Sequence, residues 1–375
     1  MTRPTPFTID VPQGRLDAIR AKVRAFDWDQ VPDAGAWSAG VGIADLRRLT
    51  EYWLERYDWR AREAALNALP QYTATVSGQL LHYVQARGNG SRPPIVLIHG
   101  WPGSFIEFAR LVDPLVQDGH DVIVPSLPGF GFSGRPAEPI GPRATAGLFH
   151  RLLTETLGYQ GYCVQGGDWG AAVGGWLAHD HPQSCKALHL NMVLIQASDA
   201  MPTTPDEVAW AEARAQLNLE EGGYSHLQQT RPQTLGFAMS ESPVGVAAWI
   251  LEKFGVWSDV PKRADGAPDL WAAFDEDLLL TNIMLYVATG SFVTSTWMYR
   301  GRKVEGSNVF PAGAYVHVPT GVAAFPDPVF PPPPRSHAEK SYHVTRWTKM
   351  PRGGHFPALE QPDHLLADLR AFLAG

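Results

Sequence analysis

Between residues 80 and 190 the chain alternates short apolar runs with longer stretches whose apolar residues recur every three or four positions. The runs Leu80–Val84, Pro94–Ile98, Asp121–Pro125, Tyr162–Gln165 and Ala187–Leu190 predict strands, and Phe105–Gln117, Thr145–Leu157 and Ala171–Ala178 predict helices. Strands that alternate with helices predict a mostly parallel sheet with helices on both faces. The same rhythm returns in the strands Ala314–Val318 and Tyr342–Trp347, and the helix Asp363–Leu373 closes the chain.

Two segments break the alternation. Residues 1–75 are helical and irregular: Ile43, Leu46, Leu49 and Trp53 fall at helical spacing, with charged residues between them. With Trp28, Trp37, Trp53 and Trp59 it is too rich in aromatic residues to stand alone, so an N-terminal wrap lying on another surface is expected. Residues 198–305 are again helical, as in Thr204–Leu219 and Pro243–Phe254, and carry Trp249, Trp257, Trp271 and Trp297. A helical insertion between sheet strands reads as a lid. The expected units are the wrap at 1–75, core at 76–197, lid at 198–305 and core again at 306–375.

Composition narrows the function. A formal net charge of -7 and the absence of any Lys/Arg run argue against a nucleic-acid surface. No run approaches the ~18 uncharged apolar residues of a membrane span, and residues 1–7 have no apolar signal-peptide core. Two cysteines, Cys163 and Cys185, make no disulfide framework. The expected setting is the reduced cytoplasm. His179-Asp180-His181-Pro182 is a poor metal site, because residues two apart do not share a helix face, and no metal or organic cofactor is expected.

The chemistry centres on Gly166-x-Asp168-x-Gly170, a strand–turn–helix with small residues where the backbone must turn sharply. This is the pattern of the nucleophile elbow of α/β-hydrolases, with Asp in the place of Ser. A plain helix cap by Asp168 is the competing reading. Asp327 and His355 follow later strands, giving the nucleophile–acid–histidine order of an α/β-hydrolase triad. Asp199 and Glu360 are rival acids. A carboxylate nucleophile forms an alkyl ester, and His355, oriented by Asp327, would activate the water that cleaves it. The backbone N–H groups of Trp101, in His99-Gly100-Trp101-Pro102, and of Trp169 could form the oxyanion hole. Pro102 is a candidate for a cis peptide bond. Epoxide opening needs a proton donor such as a Tyr hydroxyl, whereas halide displacement needs only N–H donors, which Trp101 and Trp169 could supply.

Several motifs in one order resemble the microsomal and juvenile-hormone epoxide hydrolase family across nearly the whole chain. They are Pro6–Pro12, His99–Ser104, Gly166–Gly170, Gly223–Gln228, Glu241–Gly245, Trp249–Phe254, Val318–Gly321 and Arg352–Phe356. The resemblance implies an α/β-hydrolase fold and hydrolysis of an epoxide to a vicinal diol. It implies Asp168 as nucleophile, His355 as base, Tyr224 and Tyr299 as lid acids, and Trp101 and Trp169 as oxyanion-hole donors. In that family the acid usually sits one place later, at Pro328 here, so the role passes to Asp327, the carboxylate beside it. The implied partner is a small apolar epoxide, with a homo-oligomer as an open option. A haloalkane dehalogenase and a non-catalytic binding protein on the same scaffold are the alternatives.

Overall fold

The computed structural model describes residues 3–375. The strands are β1 (Thr5–Pro6), β2 (Gln71–Val76), β3 (Gln79–Ala86), β4 (Ile95–Ile98), β5 (Val122–Pro125), β6 (Tyr162–Gly166), β7 (Cys185–Leu190), β8 (Val316–Ala324) and β9 (Tyr342–Lys349). They form one sheet in the order β1-β2-β3-β5-β4-β6-β7-β8-β9. The pairs from β5 through β9 are parallel, and the edge from β1 to β5 is antiparallel. The central strands β4 and β5 are buried along their whole length, which is why they read as unbroken apolar runs.

Three helices precede the sheet's centre: α1 (Gln13–Arg24), α2 (Ile43–Glu55) and α3 (Trp59–Asn67). The core then supplies α4 (Ala109–Gln117), α5 (Pro142–Arg151) and α6 (Trp169–Asp180). Six helices, α7 (Pro205–Glu221), α8 (Gly223–Thr230), α9 (Pro232–Glu241), α10 (Pro243–Trp257), α11 (Glu276–Val287) and α12 (Phe292–Glu305), lie between β7 and β8. The chain ends with α13 (Arg335–Ala338), α14 (Pro357–Glu360) and α15 (Pro362–Ala374). Thr204 opens α7 with a reciprocal capping box to Glu207, a start signal visible in the sequence.

The N-terminal helices pack on the inserted ones through polar anchors. Asp45 of α2 is buried and accepts from Arg263 at 2.8 and 2.7 Å, from Trp37 Nε1 at 2.7 Å and from Trp271 Nε1 at 2.9 Å. Burial raises its pKa, but these donors outweigh it and hold the carboxyl below its ordinary range. Arg48 pairs with Glu276, and Arg15 donates to the Val287 carbonyl at 2.6 Å. Among the described residues no single helix is long and apolar enough to cross a membrane; the bent pair α11–α12 meets that test only jointly, and most of α11 is buried inside the protein.

Candidate active site

Four loops leave the carboxyl ends of parallel strands and converge, as sites in such sheets do. They follow β4, β6, β8 and β9 and carry Trp101, Asp168, Asp327 and His355. Asp168 has φ 48°, a positive value rare outside glycine, so the elbow is strained. The turn closes because Gly170 has no side chain: a Cβ there would fall on the Ile98 carbonyl. Asp168 precedes α6 but makes no side-chain cap bond to it, so the capping reading fails. Its Oδ1 instead accepts from the Trp101 N–H at 2.8 Å. The Trp169 N–H opens α6, where first-turn N–H groups have no intrahelical acceptor. Gly100 lets the two loops meet, since a Cβ there would overlap the Asp168 carboxylate.

The Trp101 loop is held rigidly. Trp101-Pro102 is cis. From α11, Asn282 Nδ2 donates to the Pro102 carbonyl at 2.7 Å and the Tyr286 hydroxyl to the Gly103 carbonyl. The Leu127 N–H donates to His99 Nε2, so His99 carries its proton on Nδ1, 3.0 Å from the Gly100 carbonyl. Burial lowers its pKa to about 4 and keeps it neutral.

His355 is buried, with Nδ1 2.9 Å from Asp327 Oδ2 and Nε2 3.5 Å from Asp168 Oδ2. The latter separation is an ion-pair contact, too long and ill-aligned for a hydrogen bond, since Nε2 has no hydrogen-bond partner within the protein. Burial lowers the imidazolium's pKa, but the Asp168 and Asp327 carboxylates more than offset this and raise it to about 10. Asp327 Oδ1 is fixed by the N–H groups of Val329 at 2.9 Å and Phe330 at 2.7 Å. The neighbouring Pro328 therefore does not prevent contact, because the loop presents Asp327 instead. Asp199 lies elsewhere, exposed, and accepts from the Gly313 N–H.

The Glu360 carboxylate bonds to backbone N–H groups and not to the histidine side chain. It accepts from Asp259 N at 2.7 Å, Gly354 N at 2.9 Å and Phe356 N at 2.8 Å, tying the His355 loop to the end of α10. The rival acid of the sequence therefore supports this loop. The His355 N–H donates to the Trp257 carbonyl at 2.9 Å.

The inserted helices bring both tyrosines over Asp168. A pocket of about 100 Å³ is lined by Asp168, Trp169, Leu194, Tyr224, Tyr299 and Phe330, among others. Tyr224 stacks on Trp101 with centroids 5.3 Å apart, and Tyr299 stands edge-on to Trp169 at 4.6 Å. The Tyr299 hydroxyl is buried without a hydrogen-bond partner in the protein. Burial, then nearby Asp168, pushes the Tyr224 pKa up; burial, then Tyr224 and Asp168, does the same for Tyr299, so both hold their protons. His179 contacts Asp180 and His181 stacks on His150, so these residues have other partners.

Some nearby residues escape sequence reading. Lys253 is buried with Nζ 4.7 Å from the Tyr224 ring centroid. Arg214 and Arg302 line the same pocket, stacked on Phe330 and Trp169. Glu107 is buried beside the Trp101 loop; its signal was a lone carboxylate within Phe105-Ile106-Glu107-Phe108.

Residues 4–108 match the family model for the epoxide hydrolase N terminus, and residues 93–228 match that for the alpha/beta hydrolase fold. A "Putative epoxide hydrolase" of Stigmatella aurantiaca is 41% identical, over 98% of this chain and 84% of that protein. Epoxide hydrolase 1 of Oryctolagus cuniculus is 32% identical, over 98% of this chain and 88% of that one. The crystal structure of juvenile hormone epoxide hydrolase from Bombyx mori superimposes with a TM-score of 0.88 at 28% identity, over 100% of this chain and 95% of that chain.

Proposed function

The chain belongs to the epoxide hydrolase family, and on that premise we propose that Asp168 opens a small, largely apolar epoxide by forming an alkyl ester. Asp168 Oδ1 rests on the Trp101 N–H, which leaves Oδ2 to attack the epoxide carbon. Tyr224 and Tyr299 hold the ring oxygen and supply its proton. The observation that carries this reading is the pair of phenols in the pocket that contains the carboxylate. Halide displacement has no use for such donors, and the relatives favour neither the dehalogenase nor the binding-protein alternative.

The ester then changes the base. Esterification removes the Asp168 charge that helps to hold His355 protonated, so the imidazole's pKa falls and it can accept a proton from water. Asp327 keeps the ring oriented and stabilises the imidazolium that forms. Charge developing on Oδ1 in the tetrahedral intermediate meets the Trp101 and Trp169 N–H groups. Leu194, Val329 and the aromatic rings of the pocket suit an apolar substrate body. Cys163 and Cys185 are free and buried, which supports a reducing, cytoplasmic setting.

The test is to mix the enzyme with styrene oxide, quench in acid, digest and weigh the peptide containing Asp168. The expected result is one substrate mass on Asp168 and styrene diol as product. An adduct on another residue, or diol formed with no adduct under single-turnover sampling, would overturn the reading.

A further inference from the structure

Two cavities meet at Asp168, and it is the one residue that lines both. The larger holds the tyrosines. The smaller, about 10 Å³, is lined by Glu107, Gly167, Asn191 and His355, with Trp101 beside them. That volume is about what one water molecule requires, and a water needs two or more polar partners to be retained.

The partners are present and otherwise unused. His355 Nε2 and Glu107 Oε1 are both buried, and neither has a hydrogen-bond partner among the described residues. Buried carboxylate oxygens without a partner are rare because desolvation is costly. Glu107 lies in a short turn, Phe105–Phe108, directly after the Trp101 loop. Its carboxylate occupies the space that a side chain at Gly103 would fill, so it is packed against that loop.

We propose that the small cavity seats the hydrolytic water and that Glu107 is a positioning residue for it, an inference that rests on the ester mechanism above. One water O–H is directed to His355 Nε2 and the other to Glu107 Oε1, which aims a lone pair at Asp168 Cγ. The water oxygen bonds to Cγ and one proton passes to His355. The intermediate then breaks the bond between Cγ and the substrate oxygen, which takes the proton from His355. The diol leaves, the second water proton passes from the new Asp168 carboxyl to the tyrosine that protonated the ring oxygen, and Asp168 regains a carboxylate containing one oxygen from water. Burial raises the Glu107 pKa to about 8, with His355 lowering it and Asp168 raising it, so the three groups share one electrostatic site. The carboxylic acid and the carboxylate each present an acceptor oxygen, so the role survives either protonation state.

Rapid-quench single turnovers with styrene oxide, following the Asp168 ester by mass, test this on Glu107→Leu and Glu107→Gln. Glu107→Leu should alkylate within about threefold of wild type while ester breakdown slows about 10- to 100-fold, the effect of leaving the water's buried O–H without its acceptor. Glu107→Gln keeps an acceptor oxygen and should recover most of that loss. Ester breakdown at the wild-type rate in Glu107→Leu, or equal loss in both half-reactions, would overturn the proposal. Failure of the wild-type enzyme to form any ester strikes the ester mechanism instead. A high-resolution crystal structure of the wild-type enzyme gives a check that needs no variant. It should show one ordered water within hydrogen-bond distance of both Glu107 Oε1 and His355 Nε2; a dry cavity counts against it.

Discussion

The Trp101 N–H donates to Asp168 Oδ1 at 2.8 Å in the resting enzyme. A donor suited to the oxyanion therefore already engages the nucleophile. This distinguishes the two carboxylate oxygens before substrate arrives. In the proposed mechanism Oδ1 becomes the ester carbonyl oxygen, while Oδ2, 3.5 Å from His355 Nε2, forms the bond to substrate. Little reorganisation is then needed when charge returns to Oδ1 in the second half-reaction.

Removing the phenols should slow ester formation and spare its breakdown. Tyr224→Phe and Tyr299→Phe should each reduce the alkylation rate about 10- to 100-fold, and the double variant about 10²–10⁴-fold. Rapid-quench measurement of the Asp168 adduct checks this. Alkylation at the wild-type rate in the double variant would remove the tyrosines from the mechanism.

Asp327→Asn should have the opposite signature. Alkylation should remain within about tenfold, while ester hydrolysis falls on the order of 10³-fold because the ring loses its orienting partner. The ester should accumulate. In the ester, where Asp168 no longer carries a charge, removing this carboxylate takes away the other group that raises the His355 pKa and lowers it further. Neutral imidazole then persists to lower pH, so the acid limb of hydrolysis should move toward acid. Single-turnover rates across pH read both effects. The same change at Asp199, which bonds only near Gly313 at the surface, should leave both half-reactions unaltered.

Asp45→Asn should loosen the wrap from the inserted helices. It leaves Arg263 with the more distant Asp265, 3.8 Å away, in place of Asp45 and two indoles with a poorer acceptor, at a cost of about 2–3 kcal/mol. The folded-state pKa of Asp45 lies below the ordinary 3.8, so its stabilisation is complete above that pH and is lost as pH falls through the folded value. The gap in denaturation midpoint between wild type and variant should accordingly be widest near neutrality and close in strong acid. A gap that stays constant down to pH 2 would argue against the ion pair.

Gly170→Ala should cripple folding more than any change at the tyrosines. The added methyl would collide with the Ile98 backbone, which cannot retreat without parting β4 from β6. Soluble yield and thermal midpoint report this directly, and a normally stable Gly170→Ala enzyme would contradict the packing.

The strands that carry the site were legible because full burial leaves an unambiguous apolar run, as in Ile95–Ile98. Asp168, Asp327 and His355 could be read as strand-end residues, and the structure brings them together. Strand β1 was not legible: two exposed residues, Thr5 and Pro6, carry no alternation and pair with β2 only through the backbone. Tyr224 and Tyr299 were not separable by pattern from the chain's 11 tyrosines, because helical periodicity marks burial, not which cavity a ring faces. Glu107 was missed, and Glu360 was weighed only as a rival acid, for a related reason. Each acts on groups brought near by folding, and a lone carboxylate in sequence shows no partner.

The bonds from the His355 N–H to the Trp257 carbonyl and from the Asp259 N–H to the Glu360 carboxylate fasten the base to the roof above it. A roof that lifted away would carry the imidazole off its water and its ester. Any opening that parted these bonds would leave the base out of register until the cover closed again.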